Sequence, residues 1–114
     1  MKKDPIIFLK HILESIEIIE TYVKNKDKKN FVSNKLLQDA VIRRIEIIGE
    51  AAKNLPQNYK DSHKDIPWID ITDTRNKLIH HYFGIDLDIT WDIIERELPD
   101  LKKKVIDIIE KSKN

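Results

Sequence analysis

The 114-residue sequence predicts an all-α fold: an antiparallel up-and-down bundle of four to five helices in a single domain spanning residues 1–114. Apolar residues recur at three- and four-residue spacing, which is typical of a helix with one buried face. The chain has only two Gly and four Pro, whereas a β-sandwich or barrel uses these residues in many turns. No segment alternates with the period of two that a half-buried strand requires.

The first helix is predicted to begin at Asp4 and Pro5. The Asp carboxylate can accept hydrogen bonds from the first amides of a helix, and the missing N–H of Pro costs nothing at its first position. The apolar stripe that follows extends the helix to about Lys24, through Leu9, Ile12, Leu13, Ile16, Ile19 and Val23.

The polar stretch Asn25 to Asn30 predicts a loop, after which Ser33 or Asn34 can cap a second helix. Pro56 is expected to end that helix, because proline lacks the N–H that the helix interior needs. The apolar stripe of the second helix consists of Leu37, Ala40, Val41, Ile45, Ile48, Ala52 and Leu55.

Residues 56–66 are polar and predict a connection with one helical turn around Asn58 to Ser62. Pro67 suits the start of a third helix, which should run from Trp68 to Tyr82 or Phe83. Gly84 can close that helix in the left-handed conformation.

A fourth helix is predicted to start at a cap provided by Asp86 or Asp88 and to end where Pro99 breaks it. Its apolar residues are Trp91, Ile94 and Leu98. A fifth helix should follow, with Leu101, Val105, Ile108 and Ile109 on its buried face.

Composition excludes several classes of function. The net charge of +1, with 36% charged residues, gives no bulk basic surface for nucleic acid, so any such site must be local. The absence of Cys excludes thiolate nucleophiles and Cys-ligated zinc, and two Gly cannot form a Gly-rich phosphate loop. The apolar run near the N-terminus breaks at Lys10, too early for a signal peptide or a membrane span. A cytoplasmic protein without membrane contact or cofactor is therefore expected.

The third predicted helix contains the residues best suited to chemistry. Arg75 offers a permanent cation whose planar fork can bind two phosphate oxygens, and His80 titrates near neutral pH. A base and a guanidinium suffice in principle to cleave RNA without a metal. The base takes the proton of the ribose 2′-hydroxyl, and the guanidinium stabilises the charge that develops on the phosphate.

Helical spacing complicates that interpretation. Arg75 and His80 lie about 140° apart on a straight helix, while Asn76 and His80 share a face and Tyr82 returns to the side of Arg75. Either the helix ends or bends near His80, or a second subunit completes the site.

Each of these residues also has an ordinary structural explanation. Arg75 can form a surface ion pair with Asp70 or Asp73, and His80 and Tyr82 can be solvated or packed at a helix end.

Two other sets of polar residues have simple explanations. Asp86-Leu87-Asp88 suggests a metal pair, but a helix cap is the simpler interpretation. His63 lies in a polar connection and requires no special role.

The segment Arg75 to Tyr82, RNKLIHHY, resembles the R-x4-H-x-Y motif of the HepT-like toxins in the HEPN superfamily. Further similarity covers roughly residues 35–105 in order. It includes the pattern RRIEIIGEAAK at 43–53, Ile66-Pro67-Trp68, YFGID at 82–86, Trp91, Leu98-Pro99 and Leu101-Lys102.

The resemblance implies a small HEPN-like helical protein that forms a homodimer with the motif helices facing a shared cleft. It implies a metal-independent ribonuclease with Arg75 and His80 as the catalytic pair and Asn76 as the supporting polar residue. Such toxins belong to type VII toxin–antitoxin modules, with transfer RNA a plausible substrate. Tyr82 matches the tyrosine that a partner, a minimal nucleotidyltransferase, modifies with AMP to silence the toxin.

A different class of function uses the same fold. In that alternative, the chain is a non-catalytic helical subunit that binds a nucleotidyltransferase and helps to present its substrate. This subunit would retain Tyr82 but would not need Arg75 and His80 together, so the presence of both favours the enzyme.

Overall fold

The computed structural model describes residues 4–79 and 86–113, without the side chains of residues 75–79. This part of the chain is helical and contains no strand, which confirms the all-α prediction. The elements are α1 (Pro5–Val23), α2 (Lys28–Val32), α3 (Lys35–Lys53), α4 (Gln57–Asp61), α5 (Trp68–Ile79), α6 (Leu87–Asp92), a π-helical segment (Ile93–Glu97) and α7 (Leu98–Ser112).

Helix α3 lies at the centre of the bundle, where it packs against both α1 and α5, while α7 packs against α1. Helix α1 runs antiparallel to both α3 and α7. The first turns of α1 border the last turns of α3, where Phe8 and Asn54 line one groove. Lys102, near the start of α7, donates to Glu20 near the end of α1 at 2.8 Å.

Most of the core comes from the apolar stripes that the periodicity predicts, although some stripe residues, such as Leu13, Val23 and Ile108, are only partly buried. Fully buried members include Leu9, Ile12 and Ile16 of α1, Val41 and Ala52 of α3, and Val105 of α7. Asn34 caps α3 by accepting from the amide of Leu37 at 3.0 Å. None of the described helices is long and apolar enough to cross a membrane.

The prediction of a loop at Asn25 to Asn30 is wrong in its second half, because α2 begins at Lys28. Asp27 and Asn30 form a reciprocal capping box, in which each side chain accepts from the other's backbone amide. Phe31 is fully buried and packs against Trp91, with 5.5 Å between the two ring centroids. One buried aromatic and a cap therefore stabilise a helix too short for a periodic signal.

The prediction that Pro99 breaks the chain into two helices is also wrong, because helix continues from α6 through the π-helical segment into α7. The amide of Leu98 donates to the carbonyl of Ile93, five residues earlier. Pro99 is the second residue of α7 and directly follows this π-type hydrogen bond. The wider π turn immediately before it lets the helix pass the proline without a break.

Candidate functional site

Helix α5, which carries the start of the motif, is held firmly at its N-terminal end. Trp68 is 6% exposed, and its indole Nε1 donates to the carbonyl oxygen of His63 at 3.0 Å. The amide of Ile71 donates to the carbonyl of Pro67 at 3.0 Å and so closes the first turn. A buried aromatic and a backbone cap thus determine where the helix begins.

His63 has a structural role that its position in a polar connection did not indicate. Its ring packs on Tyr59 with 4.5 Å between centroids, and its Nδ1 lies 3.0 Å from the carbonyl oxygen of Tyr59. Burial raises the pKa of Tyr59, and the charge of Asp4 raises it further. The connection after α4 is therefore a packed unit that supports Trp68.

The middle of α5 approaches α3 closely at Gly49. A Cβ at this position would lie 3.3 Å from the carbonyl oxygen of Ile71 and 3.5 Å from that of Thr72. Backbone atoms of a helix cannot yield as the end of a flexible side chain can. Gly49 therefore permits the close contact that sets the position of α5 one turn before residue 75.

Replacing Gly49 should reveal this contact as a loss of stability. Replacing Gly by Ala in a helix interior usually raises the free energy of unfolding by about 1 kcal/mol. We expect Gly49→Ala to raise it by less, or to lower it. Gly49→Val should lower the free energy of unfolding by about 1–3 kcal/mol through overpacking. Urea unfolding measures both changes. A gain of the full helix-propensity value for Gly49→Ala would show that the two helices do not constrain each other here.

Concave surfaces flank α5 on two sides. The α4–α5 groove, of about 650 Å³, is lined by residues that include Lys60, Lys64, Ile69 and Thr72. The π-segment pocket, of about 290 Å³, lies between α3, α5, the π-helical segment and α7, with Ile71 and Thr74 on its α5 wall.

The predicted site residues are described only in part. Arg75 and Asn76 lie in the backbone of α5, but their side chains lie outside the described part of the chain, as do His80 and Tyr82 entirely. Position 75 follows Ile71 by one helical turn and position 76 follows Thr72 by one turn. The backbone register therefore places position 75 on the side of the π-segment pocket and position 76 on the side of the α4–α5 groove.

The segment Asp86-Leu87-Asp88 provides the helix cap that the sequence predicts. Asp86 accepts from the amide of Ile89 at 3.0 Å and caps α6. Asp88 pairs with Lys28 Nζ at 2.7 Å, and this hydrogen bond raises the pKa of the lysine. Within residues 4–79 and 86–113, no three His, Cys, Asp or Glu side chains are grouped to hold a metal ion.

Comparison with known proteins gives one consistent result. A family model described as ribonuclease HepT-like matches residues 12–108. A Methanocaldococcus jannaschii protein named "Gamma-glutamylcyclotransferase and putative RNase" is 50% identical over the whole chain, which spans 53% of that relative. A Thermococcus cleftensis protein named "Probable ribonuclease HepT" is 42% identical over 91% of the chain and 94% of its own length.

A further relative also matches at nearly full length. A Caldanaerobacter subterraneus protein named "Putative RNase" is 42% identical over 97% of the chain and 99% of its own length. The chain therefore spans about half of the first relative and nearly all of the other two. No solved structure matches it significantly.

Proposed function

The chain belongs to the HepT-like ribonuclease family, and we propose on that basis that it is a metal-independent endoribonuclease with Arg75 and His80 as its catalytic pair. The observation that carries the proposal is the R-x4-H-x-Y segment at 75–82, which lies inside the matched residues 12–108. The firm anchoring of α5 supports it, because a catalytic constellation needs a rigid element beneath it.

The proposed reaction is an attack within the RNA strand. His80 takes the proton of a ribose 2′-hydroxyl, and the 2′-oxygen forms a bond to the adjacent phosphorus. The bond from phosphorus to the 5′-oxygen of the next nucleotide breaks. That oxygen takes a proton from water as it leaves, and His80 later returns its own proton to the solvent. Arg75 stabilises the charge on the phosphate oxygens, with Asn76 as a supporting donor. The products are a 2′,3′-cyclic phosphate and a 5′-hydroxyl end, and transfer RNA is the proposed substrate class.

This mechanism predicts that cleavage persists when divalent metal ions are removed. We expect RNA to be cut in excess EDTA at close to the untreated rate, with a 2′,3′-cyclic phosphate on the product.

Alanine variants test the catalytic pair. Arg75→Ala and His80→Ala should abolish cleavage, whereas Arg43→Ala and His11→Ala, at exposed positions on α3 and α1, should leave it intact. Loss of activity in EDTA that magnesium restores would overturn the mechanism. A folded chain that binds a nucleotidyltransferase but never cuts RNA would favour the non-catalytic subunit.

The proposed regulation takes place at Tyr82 within a type VII toxin–antitoxin module. A partner nucleotidyltransferase would transfer AMP from ATP to this tyrosine. In that reaction the tyrosine oxygen bonds to the α-phosphorus, and pyrophosphate leaves. The added phosphate would carry negative charge near Arg75 and compete with the RNA phosphate.

The active form is proposed to be a homodimer, because one straight helix does not bring Arg75 and His80 to the same face. One apolar side chain on the motif helix supports this proposal. Ile69 on α5 is 78% exposed and lies on the helix that the shared cleft would bring against its partner.

Sedimentation equilibrium should therefore give twice the 13.5 kDa mass of one chain at micromolar concentration. Ile69→Asp should shift the equilibrium toward monomer and lower ribonuclease activity in parallel, since a charge in an apolar interface is costly. Leu36→Asp, at an apolar position on α3 that is 80% exposed, is the matched control. A fully active monomer would contradict the shared-cleft proposal.

A further inference from the structure

The π-segment pocket has an aliphatic floor. Six branched side chains from four elements form it: Ile45, Ile48, Ile71, Ile93, Leu98 and Leu101. All except Ile71, which is half-buried, belong to the buried core. The floor is therefore an apolar surface built from packed core residues. Its volume of about 290 Å³ is at the lower limit of ligand sites, which suits one small flat group.

The mouth of the pocket is polar and carries both signs of charge. Arg96 and Lys104 provide donors, and Glu97 and Asp100 provide acceptors. Lys104 is already engaged, because its Nζ donates to the carbonyl of Asp65 at 2.7 Å and lies 3.1 Å from Asp100. An anion would meet two carboxylates here, whereas a neutral group with donors and acceptors on its edge would find partners for both.

The π-helical turn shapes this mouth. Ile93, Arg96 and Glu97 of the π-helical segment all line the pocket, so the wider turn forms one of its walls. A π turn costs hydrogen-bond geometry and is found frequently at functional sites. The Nε of Arg96 pairs with Asp92 Oδ1 at 3.2 Å, which leaves the two terminal nitrogens of the guanidinium to donate elsewhere.

The pocket is adjacent to the proposed catalytic position along α5. Thr74 lies on the pocket wall, and residue 75 is the next residue of the helix. Residue 75 also follows Ile71, on the same wall, by four positions, and residues at this spacing are neighbours on one helix face with Cβ atoms about 5–6 Å apart. A nucleotide whose phosphate is bound at Arg75 would thus have its base within reach of the pocket.

We infer that the π-segment pocket binds a single unstacked nucleobase next to the scissile phosphate and so influences which RNA sequence is cut. The identity of the substrate rests on the proposed function. Proteins read RNA sequence mainly from unstacked bases, by contact with their faces and hydrogen bonds to their edges. The aliphatic floor contacts the face of the base, Glu97 accepts from an exocyclic amine, and Arg96 donates to a carbonyl or ring nitrogen.

Free nucleosides test the pocket without requiring cleavage. We expect adenosine, guanosine, cytidine or uridine to shift the ¹³C-methyl NMR signals of Ile48, Ile71 and Ile93 in a saturable manner. The methyl signals of Ile12 and Ile16, which are fully buried in α1, should not move. Absence of saturable shifts at the pocket for all four nucleosides, at millimolar concentration, would overturn the inference.

A matched pair of variants tests the location. Thr74 and Thr21 each donate from the hydroxyl to the carbonyl four residues earlier, at 2.7 Å to Asp70 and 3.1 Å to Glu17. Thr74→Phe narrows the pocket and should weaken nucleoside binding roughly tenfold or more. Thr21→Phe, on an exposed face of α1, should leave binding unchanged. Equal binding by both variants, each with the dichroism spectrum of the wild type, would place the nucleoside elsewhere.

The cleavage products separate this inference from the proposed function. Thr74→Phe should still cut RNA but with a changed base preference beside the cut site. An unchanged preference would overturn the role in sequence choice, while the enzyme itself would stand. Nucleoside binding at the pocket in a protein that never cuts RNA would overturn the proposed function and retain the pocket as a nucleoside site.

Discussion

Arg75→Lys is expected to lower the turnover of RNA cleavage by about a hundredfold, the usual cost of one lost transition-state contact, while RNA binding changes little. Lysine keeps the positive charge but loses the planar fork that can hold two phosphate oxygens. The fork matters most as charge develops on the phosphate in the transition state. The loss should therefore appear in kcat and kcat/KM together, with KM nearly constant.

Single-turnover cleavage and equilibrium RNA binding separate these two effects. Arg43→Lys, at an exposed position on α3, makes the same chemical change outside the motif and should cleave at the wild-type rate. If Arg75→Lys also cleaves near the wild-type rate, Arg75 acts only as a charge. The surface ion pair with Asp70 or Asp73 would then be the better explanation of this arginine.

Much of the fold could be predicted because the long helices have periodic apolar stripes and standard caps. Asp4, Asn34 and Asp86 each accept from an amide at the start of a helix, as their residue types indicate. Helix α2 was missed because five residues are too few to show a period. The continuation through Pro99 was missed because a π turn depends on its packed surroundings, and proline ordinarily ends a helix.

For the candidate site, the sequence indicates the reactive residues and the structure shows what supports them. The motif predicts four site residues, namely Arg75, Asn76, His80 and Tyr82. The mutual geometry of their side chains lies outside the described part of the chain. The supports of α5 came from the structure alone. Gly49 could not be recognised as a contact point, because the partner carbonyl of Ile71 is 22 positions away along the chain. The π-segment pocket was equally hidden, since its walls come from α3, α5, the π-helical segment and α7.

Tyr82→Phe is expected to leave ribonuclease activity intact and to abolish neutralisation by the partner nucleotidyltransferase. Phenylalanine retains the ring but lacks the oxygen that takes the AMP group. Tyr82 is seven residues after Arg75, which on a helix is the same side, so an added phosphate would approach the guanidinium. The measurement is incubation of each protein with the partner and ATP, followed by intact mass spectrometry and a cleavage assay.

The chain offers two further tyrosines, Tyr22 and Tyr59, and Tyr22→Phe is the matched control, because it removes a phenolic oxygen outside the motif. Tyr22→Phe should gain AMP and lose activity as the wild type does. If Tyr82 serves packing alone, its Phe variant should behave in the same way as the control. AMP on Tyr82→Phe at the wild-type level would assign the modification to another residue. An unmodified but fully neutralised Tyr82→Phe would instead mean that the partner silences the ribonuclease by binding, since no covalent AMP would then be needed to block the phosphate site beside Arg75.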